Sequence, residues 1–190
     1  MNISQSQPYL SPEEYLEIEK SSQIKHEYIQ GQIYSMAGAS DAHVTITANL
    51  VTLLRNHIRG TGCRVYVADM KVRIESLNIF YYPDIMVTCD QRDPKFDYFK
   101  RYPSLIIEVL SPSTEALDRG DKFSDYQEIE TLQEYVVISQ NRQRVDCFRR
   151  NLAGRWELYS YRKNQELQLN SLNFSCSLTD VYEDVSLPEK

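Results

Sequence analysis

Two acids stand inside runs that otherwise read as buried β-strand: Asp84 in YYPDIMVT and Glu108 in SLIIEVLSPSTE. A desolvated carboxylate must be paired, protonated or bound to a metal. Two of them on neighbouring strands suggest a site built to hold a cation. If the strands pair antiparallel across the charged connector CDQRDPKFDYFKRYP, Thr88 faces Ser104 and Asp84 faces Glu108. Directly opposed residues have Cβ atoms about 4.5–5.5 Å apart. Carboxylates that close repel unless one is protonated or a cation lies between them, and magnesium, held by one or two carboxylates and several waters, fits. One residue of slip would turn Glu108 to the opposite sheet face. Each acid alone also reads plainly as a loop cap or an arginine partner, and Pro83 makes Asp84 a strand-entry residue.

The helix expected after the second strand, EALDRGDKFSDYQEI, places Asp118, Lys122 and Tyr126 at i, i+4 and i+8, near one face. Phe123 and Ile129 can anchor that helix to the sheet. Lys122 could then reach over the strand ends, where an ammonium orients water or steadies developing charge. A solvated lysine paired with Asp118 fits the same spacing. His43, in ASDAHVTI, could hold a phosphate or water at the rim, or serve as an ordinary helix-start residue. Ser111 and Ser113 read as caps of the next helix rather than nucleophiles. The segment NRQRVDCFRRNLAGRW concentrates Arg142, Arg144, Arg149, Arg150 and Arg155, and Arg142, Arg144 and Arg149 are candidates for nucleic-acid contact. A solvated hairpin edge with charges that discourage aggregation explains them equally well.

The elements that must position these groups follow from pattern. SPEE reads as a helix start, with Ser11 as N-cap, Pro12 in the first turn and Glu14 closing a capping box. HEYIQGQIYSMAG reads as two strands around a turn at Gln30–Gly31. Ile46, Leu50, Leu53, Leu54 and Ile58 fall on one stripe of a helix from Ser40 or Asp41 to about Arg59, stopped at Gly60. CRVYVA and MKVRI are strands, followed by Tyr82–Thr88 and Ser104–Leu110. SPST opens a helix ending near Thr131. EYVVIS, RVDCFRR and RWELYSY form a meander. The signal is weak after Asn164, with a short terminal helix at SLTDVYEDV. This order predicts an α+β (mixed α/β) fold, a central mixed sheet flanked by helices.

The 190 residues, 42% hydrophobic, suit one domain spanning 1–190, with the first ten residues loosely ordered. There is no apolar run long enough for a membrane span and no secretory pattern at the start, so a cytoplasmic protein is expected. Cys63, Cys89, Cys147 and Cys176 form no C-x-x-C pair and are expected as free thiols, with no zinc site. A net charge of −6 argues against strong unspecific nucleic-acid binding, though a local field can differ from the total. The 14 tyrosines suit half-buried sheet surfaces and interfaces, so self-association is plausible.

YPD on one strand, EVLSPST on the next and the D-x-x-x-K-x-x-x-Y helix resemble the bacterial Uma-type restriction-endonuclease-like family, a branch of the PD-(D/E)XK nuclease superfamily. The likeness runs from SPEEYLEIE to EYVVIS. It implies a restriction-endonuclease-like core and magnesium-dependent phosphodiester hydrolysis, with Asp84 and Glu108 as metal ligands. The superfamily's usual strand lysine falls at Leu110; in the branch this chain resembles, the lysine sits on the helix, here Lys122. An early acid also belongs to the pattern, and KHEYIQGQIY offers Glu27, which otherwise reads as an exposed strand acid. The expectation is an endonuclease acting on DNA as a homodimer, with Mg2+ or substituting Mn2+, and with Asp84, Glu108, Lys122 and Glu27 as catalytic groups. The acidic balance, the missing strand lysine and the tyrosines also allow a nuclease-like fold kept as a nucleic-acid-binding or protein-interaction module.

Overall fold

The computed structural model describes residues 9–188. Residues 1–8, within the stretch expected to be loosely ordered, lie outside the described residues, as do the last two. The elements run α1 (Pro12–Ser21), β1 (His26–Ile29), β2 (Gln32–Ser35), α2 (Asp41–His57), β3 (Arg64–Val67), β4 (Lys71–Ile74), β5 (Ile79–Tyr81), β6 (Ile85–Thr88), β7 (Phe99–Lys100) and β8 (Leu105–Leu110). Then follow α3 (Glu115–Arg119), α4 (Asp121–Tyr126), β9 (Glu134–Ser139), β10 (Arg144–Arg150), β11 (Trp156–Arg162), β12 (Glu166–Leu169), β13 (Phe174–Ser177) and α5 (Leu178–Val181). No helix among the described residues is long and apolar enough to cross a membrane.

The fold is mixed α/β. Six strands form a mixed sheet in the order β11-β10-β9-β8-β6-β3, in which β8 and β9 run parallel. Five others form a second sheet, β2-β1-β5-β4-β7, and β12 pairs with β13. Ile46, Leu50 and Leu54 of α2 pack on one face of the six-stranded sheet, against Ile85, Leu105, Ile107 and Val136. The opposite face, with Met86, Ile106, Leu110 and Val137, meets Val72, Ile74 and Tyr81 of the second sheet and Tyr126 of α4. Because side chains alternate along a strand, Glu108 belongs to this second face with Ile106 and Leu110. The capping box of α1 forms as expected, with Ser11 accepting from the Glu14 amide and the Glu14 carboxylate accepting from the Ser11 amide.

Several expectations are corrected. The strand expected over Tyr82–Thr88 is interrupted: β5 ends at Tyr81 in one sheet and β6 begins at Ile85 in the other. Pro83 has no N–H to continue a ladder, and the Tyr82 amide turns to the Glu27 carboxylate instead (3.4 Å). The helix expected to reach Thr131 breaks into α3 and α4 at Gly120, where a Cβ would meet the Ala116 carbonyl oxygen at 3.0 Å. The four-thiol expectation fails for Cys63 and Cys89, which form a disulfide, while Cys147 and Cys176 are free and buried. The β3–β6 register pairs Arg64 with Thr88 and so sets these cysteines opposite each other, an adjacency that 26 residues of separation conceals. Tyr15, Tyr28, Tyr81, Tyr82, Tyr126, Tyr135 and Tyr182, half of the 14 tyrosines, are core residues rather than surface ones.

The tail holds more structure than its sequence signal. Leu167, Leu169 and Phe174 of the β12–β13 hairpin complete the α2 core. Glu134, fully buried at the start of β9, accepts from the Asn170 and Ser171 amides (3.0 and 2.9 Å) and from Arg149 Nε (2.7 Å). Arg149 also donates to the Gln168 carbonyl (2.9 Å), so it ties the hairpin to the sheet. Glu134→Ala strands a half-buried guanidinium and two amides. Urea denaturation should show it destabilised by about 3–5 kcal/mol, while exposed Arg155→Ala should change stability by no more than about 0.5 kcal/mol.

Candidate active site

The β6–β8 register pairs Ile85 with Ile107 and Met86 with Ile106, and its continuation sets Asp84 opposite Glu108. The two acids lock the strand ends reciprocally. The Asp84 amide donates to Glu108 Oε2 (3.2 Å), and the Val109 amide donates to Asp84 Oδ2 (2.7 Å). The side chain of Asp84 thereby takes up a ladder N–H at the point where Pro83 breaks the strand. His43, in the first turn of α2, meets Asp84 from the other side of the sheet, Nε2 to Oδ1 at 2.9 Å. The helix start is itself fixed by Ser40, which accepts from the His43 amide and donates to Gln140 beyond the end of β9.

Glu108 is 3% exposed. Its Oε1 accepts from the Tyr126 hydroxyl (2.9 Å) and lies 3.5 Å from Lys122 Nζ. Lys122 also lies 2.9 Å from Glu27 Oε1 and 3.6 Å from Asp118 Oδ1. Three carboxyl groups, those of Glu27, Glu108 and Asp118, thus gather around one ammonium, and Asp84 stands beside Glu108. Glu27 is no exposed strand acid: it is buried and faces the cluster. Lys122 is no solvated lysine either, being 6% exposed with three acidic partners. Two partners were understated by the sequence reading. Asp118 joins the cluster despite the helix break, and the Tyr126 hydroxyl seats Glu108; the i, i+4, i+8 spacing was the available signal for both.

Burial pushes the Glu108 carboxyl well above its ordinary range; the Lys122 ammonium opposes this, and Asp84, Asp118 and Glu27 add to it. Asp118 is raised by burial, with Lys122 again opposing. Burial alone would lower the Lys122 ammonium, but Glu108, Glu27 and Asp118 more than reverse this and hold its proton tightly. Desolvation alone would lower the His43 ring, but Asp84, with Asp118 and the Val109 backbone, more than reverses this and raises it. Among the described residues, no three histidine, cysteine or acidic side chains are placed to hold a metal ion together. Any hard cation here would therefore be held by few protein oxygens, with waters or substrate completing its shell.

The basic candidates divide. Arg149 is committed to Glu134, and Arg150 donates to the carbonyls of Gln127 and Glu130. Arg144 pairs with buried Asp146 through Nη2 at 2.9 Å, whereas Arg142 is exposed between β9 and β10.

A family model described as "Putative restriction endonuclease", Uma2, matches residues 12–179. The chain belongs to the Uma2 family. A Synechocystis sp. relative of the Uma2 chain, uncharacterized protein slr1290, is 41% identical over 179 residues, covering 94% of each chain. Another from the same organism, uncharacterized protein sll1609, is 38% identical over 153 residues, 78% of this chain and 85% of that one. The Uma2 chain also shares its fold with a crystal structure from Anabaena variabilis ATCC 29413 titled as a putative nuclease belonging to DUF820. The TM-score is 0.74 at 17% identity, over 91% of this chain and 97% of that chain. The restriction-endonuclease-like expectation for the fold is thereby met.

The raised Glu108 pKa has a definite sign. The folded state binds this proton more tightly than the unfolded chain, so the group's contribution is complete below about 4.5 and is lost as pH rises through the folded value. With divalent ions chelated, melts of Glu108→Gln and the parent should diverge in favour of the variant as pH climbs from about 4.5. A pH-independent difference would contradict the shift.

Proposed function

We propose that the protein is a divalent-metal-dependent endonuclease that hydrolyses phosphodiester bonds in DNA. The observation that carries this reading is the gathering of three carboxyl groups around a single buried ammonium, with a fourth, Asp84, in direct register with Glu108. The excess of acidic groups fits a further cation. Carboxylate oxygens suit magnesium, with manganese as a substitute. Asp84 and Glu108 would hold it, and the bound ion would polarise the scissile phosphate and lower the pKa of its water. Membership of the Uma2 family supports a nuclease-like hydrolase in general.

The chain's own groups prepare the site. The Val109 amide and His43 fix both oxygens of Asp84, and Tyr126 with the Asp84 amide fixes those of Glu108. Lys122 keeps its proton, so it orients water or offsets charge developing on the phosphate rather than acting as a base. Glu27, oriented by the Tyr82 amide, holds the ammonium in place and is a further acid available to a water. A homodimer would present two such sites to the two strands of a duplex.

Purified protein with magnesium and DNA should cut, and Asp84→Ala, Glu108→Ala and Lys122→Ala should each lose about 10²-fold or more in rate. Calorimetry should show manganese binding that Glu108→Ala abolishes. Equal cutting by all three variants would identify a contaminant. Absence of both cutting and metal heat would leave a non-catalytic binding module as the better reading.

A further inference from the structure

Across the six-stranded sheet, the residue row that begins with Asp84 and Glu108 continues. Glu108 pairs with Val137, Val137 with Asp146, and Asp146 with Ser160. Strands lie about 4.8 Å apart, so Asp146 stands about 10 Å from Glu108, on the same sheet face. Asp146 is 1% exposed. Three guanidiniums converge on it: Arg119 Nη1 at 3.0 Å, Arg144 Nε at 2.9 Å and Arg162 Nη1 at 3.4 Å, joined by the Ser160 hydroxyl at 2.7 Å. Arg119 also pairs with Glu115 (2.9 Å).

One buried carboxylate does not need three guanidiniums. With Glu115 counted, three positive groups face two negative ones, in a chain whose net charge is −6. The side chains of Arg119, Arg144 and Arg162 are 27%, 29% and 48% exposed. Each keeps one terminal nitrogen, Nη2, Nη1 and Nη2 respectively, without a partner among the described residues. A guanidinium fork matches phosphate oxygens, and being weakly hydrated it sheds water readily to bind them.

We infer that Arg119, Arg144 and Arg162, held in place by Asp146, form a docking site for the phosphodiester backbone of DNA, continuous with the acidic cluster along one sheet row. Asp146 orients the three forks, and their outward nitrogens take phosphates flanking the one at the Asp84–Glu108 pair. The assignment of which phosphate lies there rests on the nuclease reading; the docking site itself does not. Of the basic strand residues, Arg149 is excluded because it faces the other side of the sheet and is committed to Glu134.

The test is fluorescence anisotropy of a labelled DNA duplex with the full chain, in calcium, over a salt series. Arg162→Ala and Arg119→Ala should each weaken binding several-fold and flatten the slope of log affinity against log salt by about 0.9 per lost phosphate contact. Arg162→Glu should weaken it further. Arg155→Ala, at the far end of the β10–β11 hairpin, should match the parent in both quantities. Thermal melts would show that Arg162→Ala retains the fold, since Arg119, Arg144 and Ser160 still serve Asp146. Parental affinity and slope in Arg162→Ala and Arg119→Ala, or a parent that binds no duplex, would overturn the site. Arginine-dependent binding without any cutting in magnesium would instead sink the hydrolytic reading and leave the docking site standing. Cutting with unaltered binding in the arginine variants would do the reverse.

Discussion

The antiparallel register of β6 against β8 constrains everything else at this end of the molecule. It brings the Asp84 amide to the Glu108 carboxylate and the Val109 amide to the Asp84 carboxylate, so each acid closes a backbone group that the other strand leaves open. A slip by one residue would turn Glu108 into the α2 core and undo both bonds. Pro83 makes this arrangement necessary as well as possible. By ending the main-chain ladder it hands the pairing over to side chains, and it also passes the chain from the sheet that carries Glu27 to the sheet that carries Glu108.

Electrostatics then selects the rest of the cluster. At an effective dielectric near 20, two unit charges about 4 Å apart interact by about 4 kcal/mol. Several carboxyl groups this close are tolerable only with protons or cations among them. Lys122 supplies one cation, approached by three acids, and burial drives Glu108 toward its protonated form for want of another. The Tyr126 hydroxyl and the His43 ring add neutral or ionisable donors at fixed positions. The result is a preorganised acidic pocket whose unmet need is positive charge. Two strands away, the opposite imbalance holds, with three guanidiniums around one buried carboxylate. The two imbalances share one row of one sheet because β8, β9, β10 and β11 stay in register across it.

Local signals in the chain were strong where a single element satisfied them. The capping box at Ser11–Glu14, the Gln30–Gly31 turn and the apolar stripe of α2 each involve neighbours within a few residues. The alternation and turn symmetry around the 89–103 connector were enough to set Asp84 against Glu108. The Asp118, Lys122 and Tyr126 spacing survived the unanticipated break at Gly120 because α4 continues on nearly the same face of the sheet. Tail residues such as Leu167 and Phe174 carried little signal, since the core they share with α2 and the six-stranded sheet, not their own short strands, makes them buried.

The amino-acid sequence by itself determined which groups could do chemistry: two acids in apolar strands, and a lysine one helix away. That followed because desolvating a charge is costly enough to be visible wherever it occurs. Tertiary structure alone decided which charges meet. It committed Arg149 to Glu134, turned Arg144 toward Asp146 beside Arg119 and Arg162, joined His43 to Asp84 and paired Cys63 with Cys89. Apart from Arg144 and Asp146, which share a strand face two residues apart, such pairings depend on strand order and sheet face, which are set by packing over the whole chain and leave no trace in the spacing of the residues concerned.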